Sequence, residues 1–200
     1  MSALLETLGQ VLNSGAVGQI SRQIGSDDNT TGNVLSAALP VLLGALSRNA
    51  SRGNGAEELL GALSRDHDGS ILDNLDIFLQ NPESGSGAGI LRHMLGGRQQ
   101  RVESSLSRST GLDAGSIGKL LITLAPLLMG ALGKSRKQSN MNSSDLTDML
   151  STERASFERS QPQAANPVNQ LLDVDGDGDV DMADLMKGGL SSVLGNMLGK

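Results

Sequence analysis

Leu-Ser-Arg-Ser-Thr-Gly-Leu-Asp-Ala-Gly-Ser-Ile-Gly-Lys-Leu-Leu-Ile-Thr-Leu-Ala-Pro-Leu-Leu-Met-Gly-Ala-Leu, residues 106–132, repeats an earlier part of the same chain. Shifted by 86 residues (126 − 40), it aligns without a gap on residues 20–46, and 11 of the 27 positions are identical. Ser21-Arg22 matches Ser107-Arg108, Gly25 matches Gly111, Asp27 matches Asp113 and Gly32 matches Gly118. Leu35, Pro40 and Leu42 match Leu121, Pro126 and Leu128, and Gly44-Ala45-Leu46 matches Gly130-Ala131-Leu132. Two apolar helices share leucines by chance, but not the Ser-Arg, Gly, Asp and Pro positions as well. Each copy reads as a short helix, a glycine stop, a polar turn, and a long apolar helix with a proline near its middle. Gly25 and Gly111 stand where a left-handed C-cap is favoured, and Asp113 where an N-cap is. The proline removes one backbone hydrogen bond and favours a kink. Gly44 and Gly130, one turn later, leave room for a neighbouring helix.

Outward from the repeat, helical periodicity dominates. The pattern predicts helices over 2–13, 15–24, 31–48, 55–65, 71–80, 87–96, 99–109, 114–136 and 144–158. Ser70 and Asn54 stand as start signals, and no alternating run argues for a strand. The expected fold is all-α: a multihelical bundle with an internal pseudo-repeat (20–46 and 106–132) and a single EF-hand-like loop at its C-terminal end. The Pro/Gln/Asn-rich run 159–169 reads as a linker. It separates a helical domain, 1–158, from a segment over 170–200.

That last segment holds the most specific motif. Residues 173–184 read Asp-Val-Asp-Gly-Asp-Gly-Asp-Val-Asp-Met-Ala-Asp. Asp173, Asp175, Asp177, Asp181 and Asp184 fall at positions 1, 3, 5, 9 and 12 of an EF-hand calcium loop, with Gly178 at position 6 and Val180 at position 8. Calcium is a hard cation that takes six to eight oxygens, and alternate side chains of a tight loop converge on one point. Asp179, at position 7, offers its backbone carbonyl. Position 12 is Asp184 where Glu is usual, one methylene short for a bidentate grip. The loop is similar to those of dockerin modules, which also end in Asp. A single loop with a short last ligand implies weak affinity. Magnesium fits less well, because it demands a tight octahedron. The bland alternative is a solvated acidic tail.

Charge points to the same segment. Residues 1–137 hold 12 basic and 12 acidic side chains; residues 138–200 hold 4 and 10, which is the chain's whole net charge of −6. Six carboxylates within twelve residues repel one another unless a cation joins them, so ion binding and local ordering should be coupled.

Composition removes several function classes. Phe78 and Phe157 are the only aromatic residues, so base stacking is nearly excluded, and a neutral-to-acidic chain is a poor phosphate binder. No nucleic-acid partner is expected. The absence of cysteine excludes disulfides and thiolate metal sites. The first ten residues lack the basic and long apolar regions of a signal peptide. The apolar stretches 34–46 and 120–132 are shorter than the ~20 residues of a membrane span, and they read as buried core helices with no span expected. The chain is expected to be soluble and cytoplasmic.

His67-Asp-Gly-Ser-Ile-Leu-Asp-Asn-Leu (67–75), Gly-Ala-Gly-Ile-Leu-Arg-His-Met-Leu-Gly-Gly-Arg-Gln (87–99), Gly-Leu-Asp (111–113) and Leu-Ala-Pro-Leu-Leu-Met-Gly-Ala-Leu-Gly (124–133) occur in order. Together they resemble the YidB-like family, a bacterial family built on a domain of unknown function. The resemblance covers roughly residues 1–137. It implies an all-helical domain and no established activity or catalytic residues. Some members of the family also end in an Asp-Gly-Asp-Gly loop.

Other candidates have plainer readings. Asp66, His67, Asp68 and His93 could ligate a transition metal if the fold joined them; otherwise they belong to a turn that caps its neighbours. Gly96-Gly97-Arg98 lacks the strand and the Lys-Ser/Thr ending of a phosphate loop. No Ser/His/Asp constellation stands out. The expected protein is therefore non-enzymatic, binds one calcium ion as its cofactor, and serves as a protein-interaction or structural module, with a protein partner or self-association. The alternative is a helical DNA- or assembly-associated regulator in which calcium is only structural.

Overall fold

The computed structural model describes residues 3–82 and 85–160. The expected calcium-loop residues Asp173, Asp175, Asp177, Asp179, Asp181 and Asp184, residues 161–169 of the expected linker and the segment 170–200 lie outside the described residues, whereas Arg159 and Ser160 still belong to the last described helix. The body is the unit Met1–Ser156; a second unit runs from Phe157 to Lys200. The body is all-α, with no strand among the described residues.

Helix α1 (Ala3–Val11) continues through a π-helical turn, Leu12–Ala16, into α2 (Val17–Ile24). Then come α3 (Asp28–Ala50), α4 (Gly55–Arg65), α5 (Ser70–Asp73), α6 (Leu75–Gln80) and α7 (Gly87–Leu95). A 3-10 turn, Gly96–Arg98, leads into α8 (Gln99–Thr110), α9 (Ala114–Ser139) and α10 (Ser143–Ser160).

The repeat is real in three dimensions. Gly25 (φ 69°) ends α2 in the left-handed region and donates its N–H to Ser21 O; Gly111 (φ 77°) ends α8 the same way on Ser107 O. Two residues on, the Asp27 carboxylate accepts the Thr30 N–H at 2.9 Å, and Asp113 accepts that of Ser116 at 3.0 Å. Each aspartate thus satisfies one of the four donors that a helix start leaves open. The two turns are joined: Ser116 Oγ donates to Ile24 O at 2.9 Å. In the first copy Ser21 Oγ also donates to Thr31 Oγ1 at 2.9 Å, a buried bond that fastens α2 to α3.

The copies are used differently. α9 is buried nearly all round from Leu120 to Gly133 and packs against α7, α8, α1 and α5, as a helix apolar on every face must. α3 lies more to the side, against α2, α8, α4 and α7. The most apolar window of α9 is 72% buried and that of α3 is 56%, so α9 is the axis of the body. At 26 and 23 residues both helices are longer than the apolar stretches at their centres, and by length and composition alone both could cross a membrane.

Pro126 and Pro40 sit inside helices that run on past them. Pro126 has no N–H to give the carbonyl four residues earlier, that of Ile122. α7 begins at this spot: a Cβ built on Gly87 would lie 2.3 Å from Ile122 O. Only a glycine allows that approach.

Three expectations need correction. The predicted helix 71–80 is broken at Asn74 (φ −122°, ψ 35°) into α5 and α6, and Asn74 Nδ2 donates to Ser70 O at 3.1 Å. Ser70 is the first residue of α5 and not its cap. Asp68 instead accepts the Ser70 N–H at 3.1 Å, while Gly69, at φ 101°, turns the chain. Asn54 makes no side-chain cap bond to α4. The two small-residue positions also differ. A Cβ on Gly130 would lie 2.4 Å from Ile71 Cγ2, but one on Gly44 would meet nothing within 4 Å.

Candidate functional site

The chain after Arg65 lays an acidic loop and α5 on the C-terminal half of α9, and α6 follows against the π-helical turn Leu12–Ala16. Its seat is made by small residues. A Cβ on Gly133 would lie 1.6 Å from His67 O, and one on Gly69 would lie 2.9 Å from Lys134 Cβ. The loop backbone therefore rests directly on the helix, and α5 enters beside Gly130.

His67 is half-buried, and burial pushes its imidazole below the usual histidine range, against the pull of the Asp66 charge. His93 is exposed at the end of α7, and its carbonyl accepts from Asn49 Nδ2 at 3.4 Å. No group of three His, Cys, Asp or Glu side chains close enough to hold a metal ion occurs among the described residues. The transition-metal set of Asp66, His67, Asp68 and His93 is thus not formed. Asp68 is held below the ordinary carboxylate range first by its hydrogen bonds from Ser70, with a smaller pull from Lys137. Those groups serve the turn.

Two clefts flank this layer. One, of about 370 Å³, is lined by Asp68, Gly69, Ser70, Asp73, Lys134, Lys137 and Gln138. Lys134 Nζ stands 3.7 Å from Asp73 Oδ1 across it, with both side chains largely exposed, so the pair contributes little to stability. The other, of about 480 Å³, lies where the end of α1 meets α5 and α6. Val11, Leu72, Leu75 and Ile77 give it an apolar surface, and Asp73 and Asp76 edge it. Ile77 is 70% exposed, the one large hydrophobic residue so exposed among the described residues. On α6 Leu75 and Leu79 face the body, and Ile77, two residues from each, falls on the opposite side and faces out. α6 is fixed in that position by Gln19 Nε2, which donates to Asp76 Oδ1 at 3.1 Å, and by Gln23 Nε2, which donates to Leu79 O.

A further polar group is buried elsewhere. Glu153, on α10, is 3% exposed and its Oε2 has no hydrogen-bond partner. Burial raises its carboxyl above the ordinary range. It continues the seam of Leu146 and Leu150, both fully buried, at positions i, i+4 and i+7. Sequence reading missed this residue, and the seam spacing was the available signal. It also missed the cleft beside Ile77, because an unbroken helix over 71–80 hides the turn at Asn74.

A family model described as "Bacterial protein of unknown function (DUF937)" matches residues 6–135. No curated protein matches the chain, and no solved structure does.

Proposed function

The chain belongs to this bacterial family of unknown function over residues 6–135, and on that footing we propose that it is a non-enzymatic helical protein that binds one calcium ion through its C-terminal loop and serves as an interaction or structural module. The observation that carries the reading is the spacing of Asp173, Asp175, Asp177, Asp181 and Asp184 around Gly178. Five side-chain positions and the glycine match a calcium loop together. Asp179 adds its carbonyl, and the six carboxylates give the ion its charge. The family match ends at residue 135, so the acidic loop is an appendage to it in sequence. The reading includes a cytoplasmic location, where scarce free calcium would leave so weak a loop mostly empty at rest.

Calorimetry of calcium into the full chain tests it. One site per chain is expected, with a dissociation constant on the order of 10⁻⁵–10⁻³ M. Asp173→Ala and Asp177→Ala should abolish the heat. The absence of heat in the wild type, together with no competition against a chelating dye, would reject calcium as the ligand.

A further inference from the structure

We propose that the cleft between the end of α1 and α5–α6 is a docking site for a protein segment whose apolar side chains are flanked by lysine or arginine. The proposal rests on the interaction half of the reading above and is independent of calcium.

The first ground is shape and surface. The cleft has about 480 Å³ of space, within the roughly 300–1,000 Å³ range of binding clefts, and Val11, Leu72, Leu75 and Ile77 share its lining with Gln10, Asp73, Asn74 and Asp76. Ile77 is 70% exposed, on the side of α6 opposite Leu75 and Leu79. The Gln19–Asp76 and Gln23–Leu79 hydrogen bonds hold α6 in the orientation that displays it.

The second ground is charge, and it selects the occupant. Between Arg65 and Arg92 the sequence contains Asp66, Asp68, Asp73, Asp76 and Glu83, with no lysine or arginine. Asp73 and Asp76 line the cleft; Lys134 reaches Asp73 from its far side at 3.7 Å, and Asp76, which accepts from the neutral Gln19 amide, keeps its charge unpaired among the described groups. A basic segment is attracted to such a rim, whereas an anionic membrane surface and nucleic acid are repelled. A second copy meeting the same face about a two-fold axis would set these aspartates against themselves. An amphipathic segment that places leucines in the cleft and cations on the rim meets both the apolar and the acidic surfaces.

The test uses the ¹⁵N-labelled full chain in excess chelator, titrated with a synthetic helical peptide of leucine and lysine, and separately with its leucine and glutamate counterpart. Amide shifts from the lysine peptide should concentrate at residues 10–11 and 71–78. Its affinity should fall tenfold or more in Ile77→Ser, and also in the Asp73→Asn/Asp76→Asn double variant. It should weaken as salt is raised. Ile77 is exposed, so its replacement leaves the fold intact, which an unchanged far-ultraviolet dichroism spectrum would verify. Equal binding of the glutamate peptide, shifts centred elsewhere, or unchanged affinity in Ile77→Ser would overturn the proposal. So would sedimentation as a dimer that Ile77→Ser dissociates, since the occupant would then be a second copy. Because calcium is excluded, failure here leaves the calorimetric test of the loop untouched.

Discussion

Gly44 and Gly130 occupy equivalent places in the repeat, yet alanine should have opposite effects at the two. At Gly44 a Cβ would meet nothing within 4 Å. Glycine inside a helix is about 1 kcal/mol less favourable than alanine, so Gly44→Ala should stabilise by about that much. At Gly130 the same Cβ would stand 2.4 Å from Ile71 Cγ2, the branched methyl of a side chain wedged between α5 and α9. Overpacking a filled site costs about 1–3 kcal/mol, which cancels or exceeds the helix gain. Gly133 is more severe, because the obstacle at 1.6 Å is the His67 carbonyl and the whole loop must lift. A net loss of about 2 kcal/mol or more is expected there. For a body of this size about 1 kcal/mol corresponds to a Tm shift of roughly 2–4 °C. Gly44→Ala should therefore melt a few degrees higher than the wild type and Gly133→Ala several degrees lower, with Gly130→Ala between them. Thermal and urea unfolding followed by far-ultraviolet dichroism suits a chain without Trp or Tyr. A Gly133→Ala or Gly130→Ala protein that gains as much stability as Gly44→Ala would refute the close packing of α5 and its loop on α9.

Other outcomes depend on single groups. Glu153 is buried with its carboxyl raised above the ordinary range. The fold therefore favours the protonated form, and stability is lost as pH rises above the unfolded carboxyl range. Glu153→Leu should stabilise the protein at pH 7, by about 1–3 kcal/mol if the cost is that of a buried unpaired group, and the gain should shrink as pH falls toward 4; a gain that does not vary with pH would assign it to packing alone. Asp27 and Asp113 are held below the ordinary range chiefly by their bonds from Thr30 and Ser116, so what they contribute is present at neutral pH and lost in acid. Asp27→Ala and Asp113→Ala should each lower Tm by a few degrees at pH 7 and by less at pH 3, read by dichroism melts at both values. A chain ending at residue 160 should keep a strongly helical spectrum in excess chelator, since every core residue described lies before that point; a coil spectrum would show that the body depends on residues 161–200.

Most of the body could be read from local signals. The glycine stops, the aspartate caps and the apolar periods fix where helices begin and end, and α2, α4, α7, α8 and α9 fall within a few residues of their expected bounds. The start of α3 shows how far a cap outweighs periodicity: its apolar pattern begins near Thr31, but Asp27 starts the helix three residues earlier. Asn74 marks the other limit. Leu72, Leu75 and Leu79 keep helical spacing across it, so nothing local announces the break. The break forms because α5 is drawn against Gly130 while α6 is held by Gln19 and Gln23, and those contacts join residues more than fifty positions apart. The missed residues Glu153 and Ile77 differ from that case, because helical spacing puts Glu153 on the seam of Leu146 and Leu150 and Ile77 opposite Leu75 and Leu79, each against the habit of its residue type.

The prolines show how one sequence signal can yield two structural uses. Pro40 and Pro126 each leave the carbonyl four residues earlier without its helical donor. In the second copy that carbonyl, Ile122 O, lies on a face where Gly87 brings the backbone of α7 in close. The defect in the helix and the absence of a side chain on its neighbour are complementary, since a backbone this near could not approach past a Cβ. α7 then supplies Leu91, Met94 and Leu95 to the core. Gly87→Ala should therefore cost more than a helix-start glycine ordinarily would, despite the better helix propensity of alanine. A Cβ 2.3 Å from a carbonyl oxygen forces α7 outward, and those three side chains move with it. A loss of about 2–3 kcal/mol is expected, seen as a lower urea midpoint by dichroism. A Gly87→Ala protein with a wild-type midpoint would mean that α7 does not seat on Ile122, and the link between proline and glycine would fail.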